Sequence, residues 1–144
     1  MSDTLGRLME RNLLEVFGQR DSARRAAVIA ELYTADCTFF EAEEEVTGRE
    51  ALNAKVGSIL KDAPGFVFRT AGPAQVNHDH GRLRWEFGPE GTAPVVTGMD
   101  IAVFERQIIP AQTGRLGYAV RVSPNHNDDP LTRPVTSLLK WGSR

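Results

Sequence analysis

The stretch Pro94–Glu105, PVVTGMDIAVFE, decides how the chain is read. A strand period of two places Val95, Thr97, Met99, Ile101 and Val103 on one face and Val96, Gly98, Asp100, Ala102 and Phe104 on the other. Both faces are apolar, which predicts that both are covered. Asp100 breaks the pattern. A carboxylate withdrawn from water without partners costs several kcal/mol or takes up a proton. Asp100 must therefore be paired, protonated or turned toward a polar cavity. A buried arginine or neighbouring backbone would satisfy it structurally; a cavity would make it part of a site.

Working outward, GFVFRTAG (65–72) and PAQVNHDHGRLRWEFGPEG (73–91) also read as strands, the second as a hairpin turning at Asp79-His80-Gly81. GRLGYAVRVS (114–123) supplies the last strand. Between them ERQIIPAQTGR is longer than a tight turn needs, and its Ile108 and Ile109 call for cover, for instance in an interface. The tail 124–144 is rich in Pro, Asn and Asp, with Leu131, Val135, Leu138, Leu139 and Trp141 able to dock as a short helix. The organisation expected is one domain over 1–123 followed by that tail.

Upstream of Pro64 the period changes from two to 3.6. Leu5, Leu8, Met9, Leu13, Val16 and Phe17 predict an amphipathic helix over 4–18. Asp21 caps a second, with Ala26, Ile29, Ala30, Leu32 and Tyr33 inward, Arg24, Arg25 and Glu31 outward, and an end near Asp36. Cys37–Glu43 follows as a strand in which Phe39 and Glu41 share a face. Thr47 and Glu50, in TGRE, form a capping-box signature for a third helix with Leu52, Val56, Ile59 and Leu60 on one stripe and Pro64-Gly65 as its stop. The fold class expected is α+β, a curved antiparallel sheet around three helices.

Composition limits the function classes. The 144 residues are 41% hydrophobic and 25% charged, which suits one globular core. A net charge of −2 offers no basic stripe for a phosphate backbone, so no nucleic acid is expected as partner. The longest apolar runs fall well short of a spanning helix of about 18 residues, and MSDTLGRLMERN lacks a signal peptide's apolar core, so no membrane partner and a cytoplasmic location are expected. Cys37, the single cysteine, reads as a small buried hydrophobe. His78 and His80 form an H-x-H pair of the kind that chelates metals, but Asp79, His80 and Gly81 also suit a solvated turn; no metal and no cofactor is expected. The acidic run Glu41–Glu45 reads as a strand end entering a loop, with Glu41 inward.

The element order, with VTGREAL, GRLRWEFGPEG, the Gly98–Asp100 strand and the Gly114–Leu116 strand start, resembles the nuclear transport factor two-like cone fold in its SnoaL-like and ketosteroid-isomerase-like branch, over roughly residues 5–122. That resemblance implies a conical pocket between sheet and helices, and often a homodimer built on the outer sheet face. In the isomerase one carboxylate is the general base and a second acid donates to the developing oxyanion. The resemblance carries the base position onto Glu41 and the donor position onto Asp100. It leaves the isomerase's helix-one tyrosine without a counterpart, since Asn12 and Leu13 occupy that turn. Asn12, Tyr33 and Tyr118 are candidate polar contacts, and Phe39, Trp85, Phe87 and Phe104 a candidate apolar wall for a small flat ligand. The expected activity is proton transfer on a small hydrophobic carbonyl compound: isomerisation, cyclisation or dehydration. The alternative is a ligand-binding or dimeric accessory protein that catalyses nothing.

Overall fold

The computed structural model describes residues 2–41, 44–106 and 114–122, with side chains over 5–41 and 44–104. Helix α1 spans Ser2–Arg11 and widens into a π-helical turn over Asn12–Phe17, where the Gly18 N–H reaches back five residues to Leu13 O at 2.9 Å. The widening lets Asn12, Leu13, Val16 and Phe17 all face inward, in line with the buried Leu5 and Met9. Helix α2 spans Ser22–Leu32 and is capped by Asp21, whose carboxylate accepts the Arg24 N–H at 2.9 Å. That bond holds the Asp21 pKa below the ordinary range.

Strand β1, Tyr33–Phe40, begins earlier than the sequence predicts and takes Tyr33 out of the helix, because the chain turns extended at that residue. Short β2, Glu45–Thr47, returns antiparallel to β1. Helix α3 spans Arg49–Lys61 and buries Leu52, Val56 and Leu60. The capping box expected at TGRE is not formed. The Thr47 hydroxyl lies 3.4 Å from the Thr38 hydroxyl across the β1–β2 pair, and the cap residue is Gly48 at φ 93°. Arg49 supplies the anchor instead, donating Nε to Tyr33 O at 3.0 Å.

Strands β3 (Phe66–Thr70), β4 (Gln75–Asn77), β5 (His80–Pro89), β6 (Val96–Arg106) and β7 (Gly114–Val122) complete one sheet in the order β2-β1-β7-β6-β5-β3, with β4 beside β5. The β4–β5 hairpin turns at His78-Asp79, one or two residues before the turn the sequence suggests; Asn77 pairs with His80, and His78 takes φ 55°. All pairings are antiparallel except β1–β7, which is parallel. Among the described residues the first strand thus lies beside the last.

The core lies between the helices and one sheet face. Phe68 stacks on Phe87 at 4.0 Å between ring centroids and meets Trp85 edge-on at 5.4 Å, while Phe17 bridges from α1 to Phe39 and Phe68. Two arginines tie the helices down. Arg20 donates to the carbonyls of Leu60, Ala63 and Phe66 at 2.7–2.9 Å, closing the C-terminal end of α3. Arg25, expected on the solvent side, is buried: it bonds Asn53 Oδ1 and Gln19 O, and a Cβ on Gly57 would stand 3.0 Å from its guanidinium. Burial pushes the Arg25 pKa down.

Candidate functional site

The alternation read from β6 holds. Asp100 and Ala102 are buried against the core, and Phe104 is half-buried on the same face. On the opposite face Val95 and Thr97 are exposed, while Met99, Ile101 and Val103 are half-buried in the single chain. Asp100 stands directly across from Leu83 of β5, and Trp85 stands across from Gly98. Trp85 and Asp100 are therefore diagonal neighbours on the inner face, about 7–8 Å apart at Cα, which an indole can span. Its Nε1–H donates to Asp100 Oδ1 at 3.0 Å.

Glu41 follows β1. In the sheet register Phe40, Val120 and Ile101 form one row, and the next row holds Arg121 of β7 opposite Asp100 of β6. Glu41 is the residue after the end of β1, and its N–H turns to Glu44 O at 2.9 Å; the register extended by one residue would set it two strand spacings, about 10 Å, from Asp100. The two acids have different surroundings. Asp100 is 3% exposed, whereas the Glu41 side chain is 26% exposed and meets Lys55 of α3 at 2.5 Å. Lys55 also holds Glu44 at 2.8 Å, so it fastens the β1–β2 connection to the helix. Burial works against the Lys55 ammonium, but its hydrogen bonds to Glu41 and Glu44 outweigh that and raise its pKa above the usual lysine value. Sequence reading did not anticipate Lys55; Glu41 and Glu44 were visible as acids, but their cation is 14 and 11 residues away on another element.

The remaining candidate residues divide by location. Asn12 and Tyr33 meet, the tyrosine hydroxyl donating to Asn12 Oδ1 at 2.6 Å in the buried interior. Phe39, Trp85 and Phe87 are buried in the ring cluster with Phe17 and Phe68, so they form the core wall on which any inner ligand would rest. Tyr118 pairs in register with Val103 and with Thr38; its side chain is outside the described residues, as are Ile108, Ile109 and the tail. Cys37 is buried, and desolvation pushes its thiol pKa up, opposite to what a nucleophile needs. His80 Nδ1 lies 2.6 Å from Asp79 Oδ1 at the exposed hairpin. Among the described residues no three His, Cys, Asp or Glu side chains gather as a metal site, and no helix is long and apolar enough to cross a membrane.

No protein-family sequence model matches the chain, and no curated protein matches it. Solved structures do. A candidate isomerase of the SnoaL-like family from Agrobacterium tumefaciens aligns at TM-score 0.72 and 16% identity, covering 85% of this chain and 98% of that one. A nuclear transport factor 2-like superfamily protein from Salmonella enterica aligns at TM-score 0.66 and 13% identity, covering 91% and 96%. A candidate SnoaL-like polyketide cyclase from Jannaschia sp. aligns at TM-score 0.61 and 14% identity, covering 85% and 86%. Identities this low speak for the architecture alone, and on that evidence the chain has the α+β cone fold of the nuclear transport factor 2-like and SnoaL-like proteins.

Proposed function

We propose that the protein performs acid–base chemistry on a small hydrophobic carbonyl compound, of the isomerase or cyclase type, with Glu41 and Asp100 as its two working acids. The observation that carries this reading is the unequal surroundings of the two acids, Asp100 buried against an indole N–H and Glu41, one residue past the end of β1, at the rim beside a lysine. Glu41 takes a proton from the carbon next to the carbonyl, the electron pair moves onto the oxygen, and the proton returns to a second carbon or leaves with a hydroxyl. Asp100 supplies the hydrogen-bonding group that meets the oxygen as charge gathers there. Trp85 fixes Oδ1 of Asp100, and Lys55 fixes where the Glu41 carboxylate sits. The candidate isomerase and cyclase among the structural neighbours fit this chemistry.

The test is deuterium exchange at the α-carbon of 2-tetralone, followed by proton NMR. The wild type should accelerate exchange over buffer, and Glu41→Gln should lower that rate by about 10²–10⁴ while leaving tetralone affinity in place. A second reading, a binder without turnover, is favoured by the way Asn12 and Tyr33 satisfy each other in the interior. Binding of tetralone with exchange no faster than in buffer would select it.

A further inference from the structure

We propose a second site, on the outer face of the sheet, that binds a small organic anion through Arg84. The chain builds a concavity there. After Thr70, which pairs with Trp85, the Ala71 N–H donates to Arg84 O at 2.8 Å; the chain then turns off the sheet at Gly72, φ 133°, and rejoins where Gln75 pairs with Arg82. The Ala71–Pro73 bulge stands over β5 and forms one wall of a groove of about 690 Å³, a size suited to a small molecule. Its floor is the outer row of β5 and β6, opposite in strand parity to Leu83, Trp85 and Asp100, whose side chains face the core.

The charges in the groove are unevenly committed. Glu86 is held by Arg69 at 3.4 Å, and Arg82 Nε donates to Gln75 Oε1. The Arg84 guanidinium makes no hydrogen bond or ion pair with any described residue, and it lies exposed in the groove. A guanidinium offers a planar fork of donors that matches a carboxylate or phosphate in two-point contact. Met99, directly opposite Arg84 in the register, and Pro73 place apolar surface beside that fork. The ligand chemistry this selects is an oxyanion on a small apolar body, either an aryl or alkyl carboxylate or the corresponding phosphate monoester. A second copy of the chain fits the groove less well, because its lining is rich in exposed polar and charged side chains and interface cores are depleted in charge.

The site is tested on the full chain, labelled with ¹⁵N, by titrating benzoate, phenyl phosphate and inorganic phosphate at ~0.15 M salt and following the Arg84 Nε–Hε signal and the amides of 71, 72 and 84. Saturable shifts with benzoate or phenyl phosphate are expected, with inorganic phosphate weaker for want of an apolar body; the tighter of the two aryl anions identifies the head group. Arg84→Gln should weaken binding about 10–100-fold, the loss of a charge-assisted bond pair, while Asp100→Asn leaves it unchanged. Non-saturable shifts, or an affinity equal in Arg84→Gln, would overturn the proposal. So would a dimer in sedimentation that Arg84→Gln dissociates, since a second copy would then occupy the guanidinium. Failure of the tetralone assay leaves this result untouched, because the two sites are on opposite faces.

Discussion

Trp85 and Asp100 are joined across β5 and β6 by an indole N–H···O bond of 3.0 Å, on the diagonal between the Trp85–Gly98 and Leu83–Asp100 pairs. An acid that alternation alone places in the core thus receives a neutral donor, since indole donates and never accepts.

Trp85→Phe keeps an aromatic ring in the cluster but removes the N–H, which should cost about 1–3 kcal/mol in urea unfolding at unchanged m-value. In an Asp100→Leu background the same change should cost less, with a coupling energy of about 0.5–3 kcal/mol. Equal costs in both backgrounds would mean that the bond contributes nothing measurable.

The Lys55 cluster should give stability a pH dependence on the alkaline side. The folded pKa of Lys55 is raised above the ordinary 10.5, so its contribution is whole below pH 10.5 and fades as pH climbs through the folded value. Because the group is partly solvated, Lys55→Met should lose only ~1 kcal/mol or less near neutral pH. The difference in Tm between wild type and Lys55→Met should narrow as pH rises past that point; a gap that widens would contradict the assignment.

Arg20 should matter more than its exposure suggests. It closes three carbonyls between the last turn of α3 and the start of β3 that would otherwise depend on water, and Arg20→Met should destabilise by about 1.5–3 kcal/mol. Amide exchange should quicken first at Asp62 and Ala63, whose N–H groups bond back into the last turn. Uniform quickening along the chain would show instead that Arg20 acts on global stability alone.

Much of the fold is legible in the order of residues because its signals are local. Helical spacing in Leu5, Met9, Leu13 and Val16 names the face that packs inward, and alternation in 95–104 names the face that carries Asp100. Asp21 caps α2 as its residue type predicts. Errors arise where a local signal has two outlets. The Thr47 hydroxyl pairs with Thr38 rather than capping α3, and Arg25, polar by type, is buried because Gly57 leaves room for it.

What the sequence determined by itself is therefore the three helices and the longer strands, the apolar stripe each turns inward and the presence of an acid, Asp100, where an apolar residue would be ordinary. Tertiary structure alone decided the parallel pairing of β1 with β7, the cation that meets Glu41, the donor that meets Asp100 and the groove under the Ala71–Pro73 bulge. The physical reason is range. Periodicity and capping act over a few residues of one chain segment, whereas these contacts join residues as far apart as Tyr33 and Leu116, 83 positions along the chain, and form only when the sheet closes the distance.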